Sequence, residues 1–285
     1  MRAACARWLP VLSAMLLLAV PAVADTENEE GDLDAREGEA RKLIDLFGVY
    51  RSMDQWSSMA VTVARPFRAH VPPEVFEALE ITLRQGYSPP VAREILVQEL
   101  SSNFDPDAIA PIEWWFGSVL GGRVEEFELA AGTPEGGRLM EAYSRQLAAT
   151  SLPQDRREVA QRYDRATRKS EALALTLYAM NETIFRAVND VAPEDRRLSP
   201  DQVDAELAKL KSRLPDLFQG FIITQLAYMQ KDLSADERLE LLMFAESDSA
   251  QWFFRNYIKG LDRALASGGE RTRDAFRKRV AKQSD

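Results

Sequence analysis

Cysteine and histidine are nearly absent: the chain has one of each, Cys5 and His70. A zinc site or a histidine-based triad needs several such residues together, so neither chemistry has a basis here. No G-x-x-x-x-G-K-[ST] or G-x-G-x-x-G stretch occurs, which removes the phosphate-cradling loops. Excess positive charge is missing too. The formal charge is −9 and the isoelectric point is near 5.0, which argues against nucleic acid as a partner. Asn-Gly and Asp-Gly turns and sustained period-two runs are absent, so nothing points to a β-hairpin. Only Val11–Val20 is a long apolar run, and it is short for a membrane span.

What is present begins with that run. Arg2 and Arg7 precede it and Ala22-Val23-Ala24 follows it, the layout of a secretory signal peptide cleaved after Ala24. Residues 1–24 are therefore expected to be removed, placing the protein in the periplasm or outside the cell with no transmembrane span. Cys5 leaves with the signal, so the exported chain has no disulfide although its compartment permits one. Loss of the two arginines takes the formal charge from −9 to −11. Residues 25–35 continue an acidic, apolar-poor stretch and read as a disordered leader. Residues 268–285 follow Gly268-Gly269 and read as a basic, solvated tail.

Phe104–Glu128, FDPDAIAPIEWWFGSVLGGRVEEFE, organises what lies between. Asp105 is an N-cap carboxylate and Pro106 suits the first helical position. Ile109, Ile112, Trp115 and Phe116 keep helical spacing, and Pro111 is expected to bend the helix or shift its start. Ser118 caps a second helix. Leu233–Tyr257 repeats the plan: Ser234-x-x-Glu237 has capping-box spacing, and Ser247 restarts a helix carrying Trp252, Phe253 and Tyr257. An offset of 129 positions pairs Ser118 with Ser247 and Trp115 with Phe244.

The run Trp115-Phe116-Gly117-Ser118-Val119-Leu120-Gly121 resembles the aromatic-aromatic-x-Ser-Pro-x-Gly signature of a bacterial secreted family, domain of unknown function 2059. Phe244-Ala245-Glu246-Ser247-Asp248-Ser249-Ala250 resembles it more weakly, and Leu43-x-x-Leu46-Phe47-Gly48 with Met53, Trp56 and Met59 belongs to the same likeness. Val119 and Asp248 stand where the family has proline, and Ala250 where it has glycine. The resemblance implies an exported all-helical protein and brings no catalytic residue with it.

Further helix starts lie at Ser88-Pro89, Thr133-Pro134, Ser151-x-x-Gln154 and Ser199-Pro200. The Ser151 helix is strongly charged and is expected to face solvent. Val203, Leu207, Leu210, Leu214, Leu217 and Phe221 keep near-heptad spacing through Pro215, a site for a kink or a surface for self-association. The fold class is all-α: a multi-helix bundle of helical hairpins over residues 36–267, with two pseudo-repeats and candidate halves at 36–150 and 151–267.

Function is less legible. Glu246-Ser247 resembles the glutamate, followed by serine, that lytic transglycosylases use as acid/base, but their later glycine-rich, glutamine-containing motif is missing, and Glu246 fits a residue before a helix cap better. Glu113 is the other candidate acid for a hydrolase or lyase acting on envelope polymer. Glu125, Glu126 and Glu128 with Glu99 or Asp107 could gather round a hard cation, but no calcium-loop motif accompanies them. Trp114, Trp115, Phe116, Trp252 and Phe253, with Phe254, are the unusual feature. Neighbours on a helix point ~100° apart, so they cannot all enter one core. They are the candidate binding residues for an apolar ligand or an envelope protein, in a groove between the hairpins. No catalytic residue, metal or cofactor is expected, and a non-enzymatic binding role leads over the hydrolase reading.

Overall fold

A computed structural model describes residues 24–131 and 133–284. Apart from Ala24, the expected signal peptide lies outside the described residues. The fold is all-α. The chain runs α1 (Ala24–Leu46), α2 (Val49–Asp54), α3 (Trp56–Ala64), α4 (Pro73–Gly86), α5 (Pro89–Ser102), α6 (Pro106–Gly117) and α7 (Val119–Ala131). It continues as α8 (Pro134–Thr150), α9 (Gln154–Thr167), α10 (Lys169–Asp190), α11 (Pro200–Met229), α12 (Ala235–Ala245) and α13 (Asp248–Ser284). Short 3-10 turns lie at Arg65–Ala69 and Glu194–Arg196, and no strand occurs among the described residues.

Local chemistry explains most of the starts. Asp105 accepts from the Asp107 N–H at 3.1 Å to open α6, and Thr133 accepts from the Gly136 N–H at 3.0 Å to open α8. Ser199 and Ser234 each complete a capping box, at the heads of α11 and α12. Each cap satisfies a backbone N–H that the first turn leaves without a helical partner. Ser151 is the exception. It does not cap α9. Its φ is 57°, and the helix begins after Pro153, whose ring fixes the backbone at the N-cap position.

Both serine-joined hairpins form. The Ser118 hydroxyl accepts from the Gly121 N–H at 3.0 Å, and the Ser247 hydroxyl accepts from the Ala250 N–H at 3.3 Å. The hairpins pack on each other through equivalent residues: Trp115 and Phe244 stack with centroids 4.5 Å apart and planes 6° apart. Trp252 donates its indole N–H to Asn103 O at 2.8 Å, just before α6, and Arg123 at the matching position pairs with Glu237 in the first turn of α12.

Two apolar cores result. The first surrounds α13 and takes α1 to α6 and α10, with Leu43, Met53, Leu83, Leu96, Ile112, Met180, Phe253 and Phe276 fully buried. The second joins α7, α9, α11 and α12 through Leu120, Val124, Tyr163, Leu226 and Leu242. The candidate halves 36–150 and 151–267 therefore do not match the cores. Helices α10 and α13 cross into the first, and α7 lies in the second. Chain order is a poor guide here, because helices far apart in the chain share each core.

The ends also differ from expectation. α1 already begins at Ala24, so the stretch read as a leader forms helical turns. Acidic residues near a helix N-terminus suit its dipole, and among the side chains described from Leu33 onward Ala40 is the first that is fully buried. The expected basic tail is instead nearly half of α13, its C-terminal part. Thr272 and Phe276 are fully buried, Arg271 donates to Gly86 O at 2.6 Å, and Arg277 pairs with Asp190 at 2.9 Å. Gly268 and Gly269 do not end the helix. They let it approach its neighbours: a Cβ on Gly269 would sit 2.5 Å from Thr183 Oγ1, and one on Gly268 would sit 2.9 Å from the Tyr87 ring.

Candidate functional site

The aromatic residues converge where the two cores meet. Helix α1 ends at Leu46, and Gly48 takes a left-handed conformation with φ 64° before α2 begins. That turn presents Phe47 between the hairpins. Phe47 stacks on Phe253 with centroids 3.6 Å apart, meets Phe116 edge-on at 4.9 Å and meets Phe254 edge-on at 5.3 Å. Phe244, stacked on Trp115, also lies 6.1 Å from Phe116, and Tyr257 stacks on Phe253 at 6.1 Å. Stacked and edge-on pairs of this kind add to the burial of the rings themselves.

Beside this cluster lies a groove of about 750 Å³, a volume suited to a small molecule. One wall belongs to the first core: Leu46, Phe47, Val49, Met59, Phe253 and Tyr257. The other belongs to the second: Val124, Tyr163 and Met229, with Phe221 beside them. A smaller dent of about 390 Å³ between α8 and α11 shares Phe221 but has no aromatic cluster.

The rim is polar and its charges are paired. Arg51 of α2 donates to Glu125 of α7 at 2.8 Å, and Lys169 of α10 donates to Glu128 of α7 at 2.6 Å. These two pairs join α7 to the opposite wall. Tyr163 is 6 % exposed, and its phenol titrates well above the usual range because of burial and the nearby Glu128 charge. Burial alone pushes Tyr257 up to about 12.

Of the sequence-predicted residues, Trp115, Phe116 and Phe253 line the groove. Trp114 does not: it is 70 % exposed. Trp252 does not either, since it is buried with its indole bonded to Asn103 O. Phe47, Phe244, Tyr257 and Tyr163 line the groove and were not singled out as site residues. For Phe47 and Phe244 a signal existed, in Phe47-Gly48 and in the Phe244-x-x-Ser247 spacing that copies Trp115-x-x-Ser118. For Tyr163 there was none, because α9 was expected to face solvent. Instead α9 buries Ala160, Tyr163, Ala166 and Thr167, and its arginines reach outward to partners such as Glu246.

The remaining candidates are engaged elsewhere. Glu246 takes both of its hydrogen bonds from Arg162, at 3.1 and 2.7 Å, and Glu113 pairs with Lys42. Among the described residues no group of three or more histidine, cysteine or acidic side chains could hold a metal ion, and the carboxylates of Glu125 and Glu128 are taken by cations. The Ser247 hydroxyl donates to Phe244 O at 2.7 Å as part of its capping role. His70 is exposed at the end of a 3-10 turn. No described helix is long and apolar enough to cross a membrane. Comparison of the chain with protein-family models, curated proteins and solved structures gives no match.

Proposed function

We propose that this is an exported, non-enzymatic binding protein that holds an apolar ligand in the groove between its two hairpins. Export rests on the Arg2, Arg7, Val11–Val20 and Ala22-Val23-Ala24 pattern and agrees with the family resemblance. The observation that carries the binding reading is the aromatic lining. Rings from α6, α12, α13 and the α1–α2 turn gather beside a space of about 750 Å³ rather than closing it with their own side chains. The groove opens to solvent and is lined by rings and aliphatic side chains of both cores, a setting that suits a small apolar ligand.

The hydrolase reading has less behind it. A general acid needs a carboxyl that keeps its proton near neutral pH and reaches the substrate. Glu246 and Glu113 each sit against a cation and neither lines the groove. An envelope-protein partner has one observation of its own. Trp114 and Val119 flank the α6–α7 turn at 70 and 84 % exposure, and large exposed apolar side chains at one turn suit a docking surface.

Purification from the native envelope without detergent, followed by mass spectrometry of the organic extract and of crosslinked proteins, tests both. A recurring apolar molecule lost in Phe253→Asp supports the groove. A recurring protein lost in Trp114→Ala with the extract empty would move the function to the outer surface.

A further inference from the structure

Trp114, Val119, Leu239 and Met243 make up half of the large apolar side chains that lie exposed among the described residues. All four belong to the two hairpins, and helical geometry sets Trp114 and Met243 on one outer face. On α6, Trp115 and Phe116 turn to the groove, and on α12 Phe244 and Ala245 do so. The residue before each pair points ~100° and ~200° away from its two members. Trp114 and Met243 therefore flank the Trp115–Phe244 stack on the side away from the groove, and Met243 is 66 % exposed. Leu239 lies one turn before Met243 on the same face of α12. Val119 opens α7 one turn before Arg123, whose pair with Glu237 holds α7 to α12.

The free charge around these side chains has one sign. Asp236 and Glu240 share the exposed face of α12 with Leu239 and Met243, and neither has a cation partner among the described residues. Arg123 and Arg238 are the only cations on α6, α7 and α12. The first is paired with Glu237, and the second donates to Leu233 O. An apolar face edged by free carboxylates complements a segment that carries leucine-type side chains flanked by lysine or arginine. It repels anionic lipid and nucleic acid, and an isologous second copy would set like charges against each other. No strand edge occurs among the described residues for an extended segment to join, whereas Leu239 and Met243, one turn apart, suit the side-chain spacing of a helix.

We propose, resting on the partner reading above and not on the groove, that this outer face docks a basic amphipathic helix of another protein. The apolar side of that helix packs on Trp114, Val119, Leu239 and Met243, and its lysines or arginines pair with Asp236 and Glu240.

The experiment titrates the purified mature protein against fluorescein-labelled amphipathic peptides and reads anisotropy. One peptide is of leucine and lysine, one has glutamate in place of lysine, and one has serine in place of leucine. The leucine–lysine peptide is expected to bind saturably, and each of the other two about ten-fold more weakly. Trp114→Ser with Met243→Ser should weaken the leucine–lysine peptide about ten-fold, and Asp236→Lys with Glu240→Lys should reverse the preference between lysine and glutamate. All four side chains are exposed, so melting temperature and helicity should hold in both double variants. Absence of saturable binding, equal affinity for the lysine and glutamate peptides, or affinity that survives both double variants would overturn the outer-face assignment. So would a dimer in sedimentation that Met243→Ser abolishes, which would give the face to a second copy. The neutral dye N-phenyl-1-naphthylamine reports on the groove separately. Its binding should be the same in the parent and the outer-face variants, and a parent that binds peptide but no dye would overturn the groove reading alone.

Discussion

The two hairpins share a plan and differ in what holds their second helix. Helix α13 is held by apolar burial: Ala250, Phe253, Leu261, Leu265 and Phe276 all lie inside the first core. Helix α7 buries Leu120 and Val124, half-buries Phe127, and carries three ion pairs to other helices through Arg123, Glu125 and Glu128. The matching positions 252 and 123 show the difference in miniature. Trp252 buries a ring and bonds a carbonyl, whereas Arg123 forms a charged pair with Glu237. Burial of a large ring contributes several times more than a partly exposed ion pair. Helix α13 is thus the spine of the fold, and α7 the lightly held wall of the groove.

The comparison breaks most visibly in the spine. Phe276→Ala should cost about 3–5 kcal/mol in denaturant unfolding, and a chain ending at Gly268 should lose cooperative unfolding altogether. If the residues after Gly268 were a solvated tail, neither change would register. Trp115→Ala should cost a similar ~3–5 kcal/mol, against less than ~0.5 kcal/mol for its exposed neighbour Trp114→Ala. Gly269→Ala is next, at about 1–3 kcal/mol, because the added Cβ meets Thr183 Oγ1.

Salt and pH sharpen the difference between the walls. Raising ionic strength screens partly exposed pairs more than it affects buried contacts. Amide exchange along α7 should therefore quicken between low and high salt while that of α13 stays constant, and Glu125→Gln or Glu128→Gln should each cost less than ~1 kcal/mol. In alkali the sign follows from burial. The Tyr87 and Tyr257 phenols titrate near 12 in the fold because burial disfavours the phenolate, against an ordinary value near 10.0. The folded state then holds more protons than the unfolded chain between these values, so stability falls as pH rises from 10 to 12 and is unaffected below that window. Thermal unfolding across this range, with tyrosinate absorbance followed alongside, checks the direction.

Much of this fold was written locally. Asp105-Pro106, Ser118, Ser199-Pro200, Ser234-x-x-Glu237 and Ser247 act on backbone groups within three residues, so a sequence window contains both partners of each cap. The role of Gly268-Gly269 was not legible in that way. A glycine pair looks the same whether it ends a helix or admits a neighbour, and here Tyr87 and Thr183 decide, from distant parts of the chain. Trp114 and Trp115 show the limit at the site. Helical geometry says they point apart, but only the position of α12 determines that Trp115 meets Phe244. Tyr163 was hidden for a further reason. Its helix buries mainly small residues under a coat of arginines, so its composition resembles that of an exposed helix.

Quenching of Trp115, which lines the groove, tests most directly whether the space between the hairpins takes an apolar ligand. A brominated apolar probe such as bromododecane should quench tryptophan emission saturably, and the quenched component should vanish in Trp115→Phe and persist in Trp114→Phe. Quenching that fails to saturate, or that disappears with Trp114 instead, would contradict a groove ligand.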